Sequence, residues 1–269
     1  MSQLSQSQRV FRWFAITLIW LALPGCPTAE RTKPRPSPQP PGPAAQPEKE
    51  FTPAAQQAEK PRDLGSPLVD NLDKLTRLDP DFPVWLDKQN KQVVFLGEVC
   101  RADYPLEFFV TYRDRSYEAI VASDVRPSII HAGLLALGAD PGHPARFQPE
   151  FVPPTGTEVA IEVRWKDAKG RMHSSPARDW VRNVETKKAL DANWVFAGSA
   201  LMTDEETGKK HYLGDGGDFI CLLNLPTAVL DLPIRSASAL ESRLFEAFIE
   251  HLPPPGTPVT LLLKPNLAP

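Results

Sequence analysis

The side chains able to carry chemistry fall into two groups. Glu98, Glu107 and Glu118 lie in or beside apolar runs that read as strands, and His131 lies inside an apolar stretch that reads as a helix. A carboxylate close to a core is costly unless it is paired, so convergence of these four would make a ligand set or an acid–base group. If the strands simply alternate, the glutamates face water and His131 is a hydrogen-bonded core residue. The second group is His211, Asp215 and Asp218, within His211-Tyr212-Leu213-Gly214-Asp215-Gly216-Gly217-Asp218. A glycine-rich turn of this kind is able to fold closely around a metal ion, although its spacing is neither that of an EF-hand nor of the usual zinc sites. The commoner use of Asp-Gly-Gly-Asp is a tight loop between strands.

His-Glu-x-x-His, Cys-x-x-Cys, Gly-x-Ser-x-Gly and a phosphate-cradling glycine loop are all missing, which excludes those enzyme families and names no cofactor. Cys100 and Cys221 both sit in apolar strand-like runs. A disulfide between them and a pair of thiols packed as small hydrophobes are the two alternatives. Trp85, Trp165, Trp180 and Trp194 would form a carbohydrate platform if they shared a face, and core packing is the other fate open to them.

The elements that must position these residues follow from periodicity. Residues 93–99, 106–110 and 117–121 are enriched in β-branched and aromatic side chains and predict three strands of a meander. Pro127 in a first turn, Ile130, Leu134 and Leu137 on one face, and Gly138 past the end predict a short buried helix. Residues 157–165 alternate cleanly and turn through Asp167-Ala168-Lys169-Gly170 into a second arm, a hairpin with one wet face. Residues 194–198 and 219–223 add two strands. Ser238 and Glu241 form a capping-box pattern ahead of Leu244, Ala247, Phe248 and His251, which predicts a second helix, and 259–263 closes the chain as a strand. The fold class is α+β, a largely antiparallel sheet with two packed helices.

Residues 134–147 align with 248–261 without gaps, Pro141-Gly142 falling on Pro255-Gly256 and Pro144 on Pro258. A rival alignment puts Gly156-Thr157 on Gly256-Thr257 and Val159 on Val259. An internal duplication and a shared grammar of turns are the alternatives. If the chain is duplicated, the two Pro-Gly turns superimpose and both helices cover one side of the sheet.

The chain's address is legible at its start. Arg9 and Arg12 precede the apolar run from Trp13 to Leu23, which has the length of a signal peptide and is too short for a permanent span. It ends in Leu23-Pro24-Gly25-Cys26, which resembles a lipobox, so residues 1–26 are read as a lipoprotein signal ending at the lipidated Cys26. Residues 27–67 are rich in proline and poor in apolar side chains and are read as a disordered stalk, roughly forty residues reaching on the order of 100 Å as polyproline II. Residues 68–269 form one globular domain. The chain carries 30 basic and 33 acidic residues, and without Arg9 and Arg12 the excess is more negative, which speaks against nucleic acid as a partner.

Gly97-Glu98-Val99-Cys100, Pro105-Leu106-Glu107-Phe108-Phe109, Glu118-Ala119-Ile120-Val121 and His131-Ala132-Gly133-Leu134-Leu135 resemble the YdjY-type domain. So do Trp180-Val181-Arg182-Asn183, Trp194-Val195-Phe196-Ala197-Gly198-Ser199, Asp215-Gly216-Gly217-Asp218-Phe219-Ile220-Cys221 and Leu230-Asp231-Leu232-Pro233, and the resemblance runs over about residues 93–264. It implies a bacterial exported protein or lipoprotein without an assigned activity, and it transfers no catalytic residue. Where the family pattern often has a second cysteine this chain has Val110-Thr111, so thiol chemistry shared with Cys100 is not implied.

The leading expectation is a lipid-anchored domain of the cell envelope, periplasmic or otherwise extracytoplasmic, whose partners are the membrane and an unidentified envelope protein or ligand. Its role is binding or assembly rather than catalysis. The alternatives are an envelope enzyme using the acids around His131, and a metal or redox carrier that needs Cys100 and Cys221 close together.

Overall fold

The computed structural model describes residues 61–102, 105–236 and 244–267. All of them lie within the compact unit Ala54–Pro269. The signal, Cys26, nearly all of the stalk and the capping-box residues Ser238 and Glu241 lie outside the described residues.

The elements run β1 (Thr76–Arg77), β2 (Val84–Asp87), β3 (Gln92–Val99), β4 (Phe108–Thr111), β5 (Ala119–Ala122), α1 (Pro127–Ala136), β6 (Glu158–Lys166), β7 (Met172–Pro176) and β8 (Val181–Asn183). They continue through β9 (Trp194–Phe196), β10 (Leu201–Thr203), β11 (Lys210–Tyr212), β12 (Ile220–Cys221), β13 (Leu230–Asp231), β14 (Phe245–Ala247) and β15 (Pro258–Pro265). Eight of the strands close on themselves in the order β3, β15, β6, β9, β13, β12, β4, β5. The seam is the antiparallel pairing of β5 with β3, Glu98 opposite Ala122 and Val99 opposite Val121. Gly97 makes the seam possible, because a Cβ there would come within 2.6 Å of Val121 Cγ1 and 3.0 Å of the Ala122 carbonyl.

The α+β expectation is therefore corrected: the domain is a closed β-barrel, and α1 is its one helix of more than a turn or two among the described residues. Runs such as 93–99 read as strands of a sheet, but the pattern is silent on closure. It does show burial on both faces, and β3 is buried at all of its positions except Glu98. Val93, Phe95, Val159, Ile161, Val163, Leu261 and Leu263 join one core cluster with Ile130 and Leu134 of α1. The alternate set, Val94, Leu96, Thr260 and Leu262, is buried as well. Over that face runs the segment from Arg62 to Asn71, where the Leu68 amide donates to Thr260 Oγ1 at 2.8 Å and the Arg62 guanidinium meets Glu98 at 3.5 Å.

Three further expectations are corrected. The first strands are not a meander: β4 and β5 run parallel, and the turn Arg113–Glu118 carries the chain back between them. This is shorter than the dozen or more residues a parallel connection usually takes. Residues 245–247 are strand β14, paired with β8, and among the described residues of that stretch only the short turn Ile249–His251 is helical. Phe245 and Ala247 are buried and Glu246 is half-buried, a period of two that the apolar set Leu244, Ala247, Phe248 and His251 concealed. The duplication of 134–147 in 248–261 fails, since α1 has no helical counterpart of its length among the described residues and Gly256 is left-handed at φ 86° while Gly142 is not. Pro258 begins β15, whereas Pro144 lies in irregular chain. The rival alignment lays β6 on β15, which are neighbours in the barrel, each preceded by a left-handed glycine.

Trp180 and Trp194 are fully buried on either side of Phe109, at ring centroid distances of 6.3 and 5.4 Å. The four tryptophans thus form no common platform.

Candidate functional site

Glu118, Asp218, Asp215 and His131, drawn from both candidate groups, are brought to one side of the barrel by α1, the 113–118 turn and the glycine-rich 213–218 segment. Arg115 is the hinge of the arrangement. Its Nε donates to Glu118 Oε1 at 3.2 Å, its Nη1 to Asp218 Oδ1 at 2.9 Å, and its guanidinium lies 4.4 Å from the Phe108 ring centre. Burial would lower the Arg115 pKa, but the bonds and charges of Asp218 and Glu118 more than offset it and hold the pKa above its ordinary value. Asp218 also accepts from Thr227 Oγ1. Thr111 Oγ1 donates to the Gly217 carbonyl at 2.7 Å, and a Cβ on the left-handed Gly217 would come within 3.1 Å of that hydroxyl.

Asp215 caps α1 from outside the helix. Its Oδ1 accepts from the Ser128 amide at 2.8 Å, where the N-cap residue Arg126 offers no side-chain bond. A carboxylate at a helix N-terminus satisfies a free amide and meets the positive end of the dipole. Three residues on, His131 Nδ1 is 2.8 Å from Tyr212 Oη, which lies 3.2 Å from the Gly198 carbonyl. The carbonyl only accepts, so the tyrosine proton goes to Gly198 and Nδ1–H of His131 donates to Tyr212. Burial pulls the His131 pKa below its usual value, so the ring is neutral. It is wedged edge-on against Phe196, with centroids 4.8 Å apart.

The remaining candidates lie elsewhere. Glu98 pairs with Arg113 at 3.2 Å, and Arg113 also holds Asp124 at 2.9 Å. Glu107 is half-buried just before β4, where its carbonyl accepts from Leu222 and Leu223. His211 is exposed on the β10–β11 ribbon, opposite Met202. Cys100 and Cys221 are free buried thiols. Burial, reinforced by the Glu98 charge, pushes Cys100 up to about 12. Burial likewise pushes Cys221 far up, with Asp231 adding to it. Among the described residues no three His, Cys, Asp or Glu side chains are grouped to hold a metal ion.

Sequence reasoning missed two features. One is Asp231, fully buried on β13, whose carboxyl is pushed up to about 7 by burial despite bonds from Asn224, Leu232 and Leu225. The other is a groove of about 700 Å³ between the end of the β6–β7 hairpin and the 251–258 turn, lined by Trp165, Asp167, His173, His251 and Pro253 to Pro258. His173 stacks on Trp165 with centroids 5.4 Å apart and its Nε2 reaches Asp167 Oδ2 at 3.1 Å. On the facing wall His251 stacks on Phe248 and meets the Asp179 carbonyl through Nδ1 at 2.7 Å. The signal for it was Trp165 itself, which continues the inward set Val159, Ile161, Val163 to the strand's end yet stays half-exposed.

The fold and these sites define a small closed β-barrel with one helix, a paired polar network on one side and an aromatic, proline-walled groove at the end of a hairpin. The chain belongs to the YdjY domain family, whose model matches residues 84–264. Comparison with curated proteins and with solved structures gives no match.

Proposed function

We propose that this YdjY domain is a non-catalytic binding module of the bacterial cell envelope, tethered through Cys26, and that the groove at Trp165 receives an extended stretch of polypeptide. The observation that carries the reading is the groove: indole, imidazole and pyrrolidine surfaces form the walls, and Asp167 with Lys166 forms a polar rim. Extended, proline-compatible chains dock on surfaces of this composition with little loss of conformational entropy. Pairing supports it further, since Glu98, Glu118, Asp215 and Asp218 each meet an internal partner and none is left as a base. The tether rests on the lipobox-like Leu23 to Cys26 and on the proline-rich stalk.

A photo-crosslinking amino acid placed at Ala168, on the groove, tests the binding role against one placed at Lys209, on the β10–β11 ribbon. Light-dependent adducts from Ala168 alone, lost when Trp165→Ala is added, are expected in membrane preparations. Identical adducts from both positions, or adducts indifferent to Trp165, would overturn it. For the tether, Cys26→Ser is expected to release the protein from the membrane or leave it unprocessed.

A further inference from the structure

The two walls of the groove at Trp165 differ in the hydrogen bonds they offer. Along 251–258 every backbone N–H is either used or absent. His251 gives its amide to the Phe248 carbonyl at 2.8 Å, Leu252 to Ile249 at 3.2 Å, Gly256 to Val99 at 2.8 Å and Thr257 to Pro254 at 3.1 Å. Pro253, Pro254, Pro255 and Pro258 have no amide proton to give. An added β-strand gives and accepts amide bonds along its length, and this wall is able only to accept, so it does not extend as a sheet edge.

The opposite wall holds an open donor. The indole N–H of Trp180 reaches Ser175 Oγ and that of Trp194 reaches the Cys221 carbonyl, each at 2.8 Å. The Trp165 indole N–H meets no acceptor among the described residues, yet its nitrogen is not sealed in: the buried side-chain nitrogens and oxygens without a partner there are Asn71 Oδ1 and Gln92 Oε1. It is therefore open to solvent. The ring that carries it is held in place, stacked on His173 at 15° and edge-on to Trp180 at 70°. A ring-walled groove with one fixed donor selects among peptides. An ordinary residue laid on such a surface leaves its own N–H without an acceptor, which is costly, whereas proline has no N–H, a fixed φ and a carbonyl free to accept.

We propose, on the reading that this groove receives polypeptide, that its occupant is a proline-rich segment of a separate chain, bound as a polyproline II helix with one backbone carbonyl accepting from Trp165 Nε1–H. The pyrrolidine rings of the ligand pack against His173, His251 and the proline wall, which line the groove. The polyproline II helix has three residues per turn and no internal hydrogen bonds, so every third carbonyl returns to the side of the donor. Donor and acceptors thus match in number as well as in kind: the ligand brings carbonyls and few amides, and the groove brings a single N–H and no sheet edge on its 251–258 wall.

The test titrates decaproline into the purified full chain and follows the Trp165 indole N–H and the Ala168 amide resonances, with a decapeptide of alternating threonine and valine as the extended control. Saturable shifts with decaproline and none with the control are expected, the indole proton moving downfield. Trp165→Phe keeps a ring and loses the donor, and should bind about tenfold more weakly by the Ala168 resonance. Where that variant does not fold, the downfield movement in the parent chain reports the same bond. No shift with decaproline, equal shifts with both peptides, or undiminished binding in Trp165→Phe would each overturn the proposal. Crosslinks from Ala168 that persist while decaproline moves neither resonance would sink this proposal and leave the polypeptide-binding reading standing. An indole shift in the unliganded chain on combining Pro38→Ala, Pro40→Ala and Pro41→Ala would assign the groove to this protein's own proline run and overturn the separate partner.

Discussion

Asp87 and Asp231 are both fully buried carboxylates held by an asparagine and backbone amides, yet their charges behave oppositely. Burial pushes both upward. At Asp87 the bonds from Asn90, Gln92 and Asn71 more than offset it, and the pKa falls below the ordinary 3.8. At Asp231 burial wins over Asn224, Leu232 and Leu225, and the carboxyl rises to about 7. The difference lies in what surrounds each donor. Asn90 is exposed, so Asp87 sits one side chain from water, whereas Asn224 and Ser236 over Asp231 are themselves 1% and 2% exposed. The accessibility of a carboxylate is thus a poorer guide to its charge than the depth of the shell around it.

The largest expected effect is at Asp231. With a folded pKa of about 7 against 3.8, the folded protein keeps a proton that the unfolded chain has released between those values. Its contribution is therefore full below about pH 4 and declines as the pH rises to 7, by on the order of 4 kcal/mol. Urea unfolding across that range should show the decline in the parent protein and lack it in Asp231→Asn; parallel curves would break the comparison. Asp87 has the opposite sign, contributing above its unfolded pKa and losing that contribution in acid. Asp87→Ala strands the amide donors of Asn71, Asn90 and Gln92 and should lower stability at pH 7 by about 3 kcal/mol, read from the urea midpoint. A loss under about 1 kcal/mol would show that the shell relaxes on its own. The smallest effect sharpens the contrast with an uncharged pair: Tyr212→Phe removes the hydroxyl between His131 and Gly198 and should cost about 1 kcal/mol by the same measurement.

Much of the barrel was legible, and the reason is burial. Residues 93–99, 157–165 and 259–263 cover most of β3, β6 and β15, residues 194–198 contain β9, and α1 begins at Pro127 as read. What alternation cannot carry is the identity of a strand's neighbour, so the return of β5 to β3 and the close approach at Gly97 were invisible. The 244–251 stretch fits spacings of two and of three to four residues equally well, and only pairing with β8 decides between them. The candidate acids were recognisable as polar residues in apolar surroundings. Their partners Arg113 and Arg115 were not, because an exposed-looking arginine in a turn gives no hint of which carboxylate it will meet. Asp231 did leave a trace, an acid between Leu230 and Leu232, but nothing local separates a buried aspartate from one facing water on an alternating strand.

The position of β15 sets the timing of maturation. It is the final strand, and it lies between β3 and β6, pairing with residues from Val93 to Glu98 on one edge and from Val159 to Trp165 on the other. A chain delivered from its N-terminus would present β3 and β6 long before the strand that joins them, and each would wait with an apolar edge unfilled. Until residue 258 and those after it arrive, β3 and β6 lack the strand that joins them. A truncation of only the last dozen residues would leave them in that state permanently.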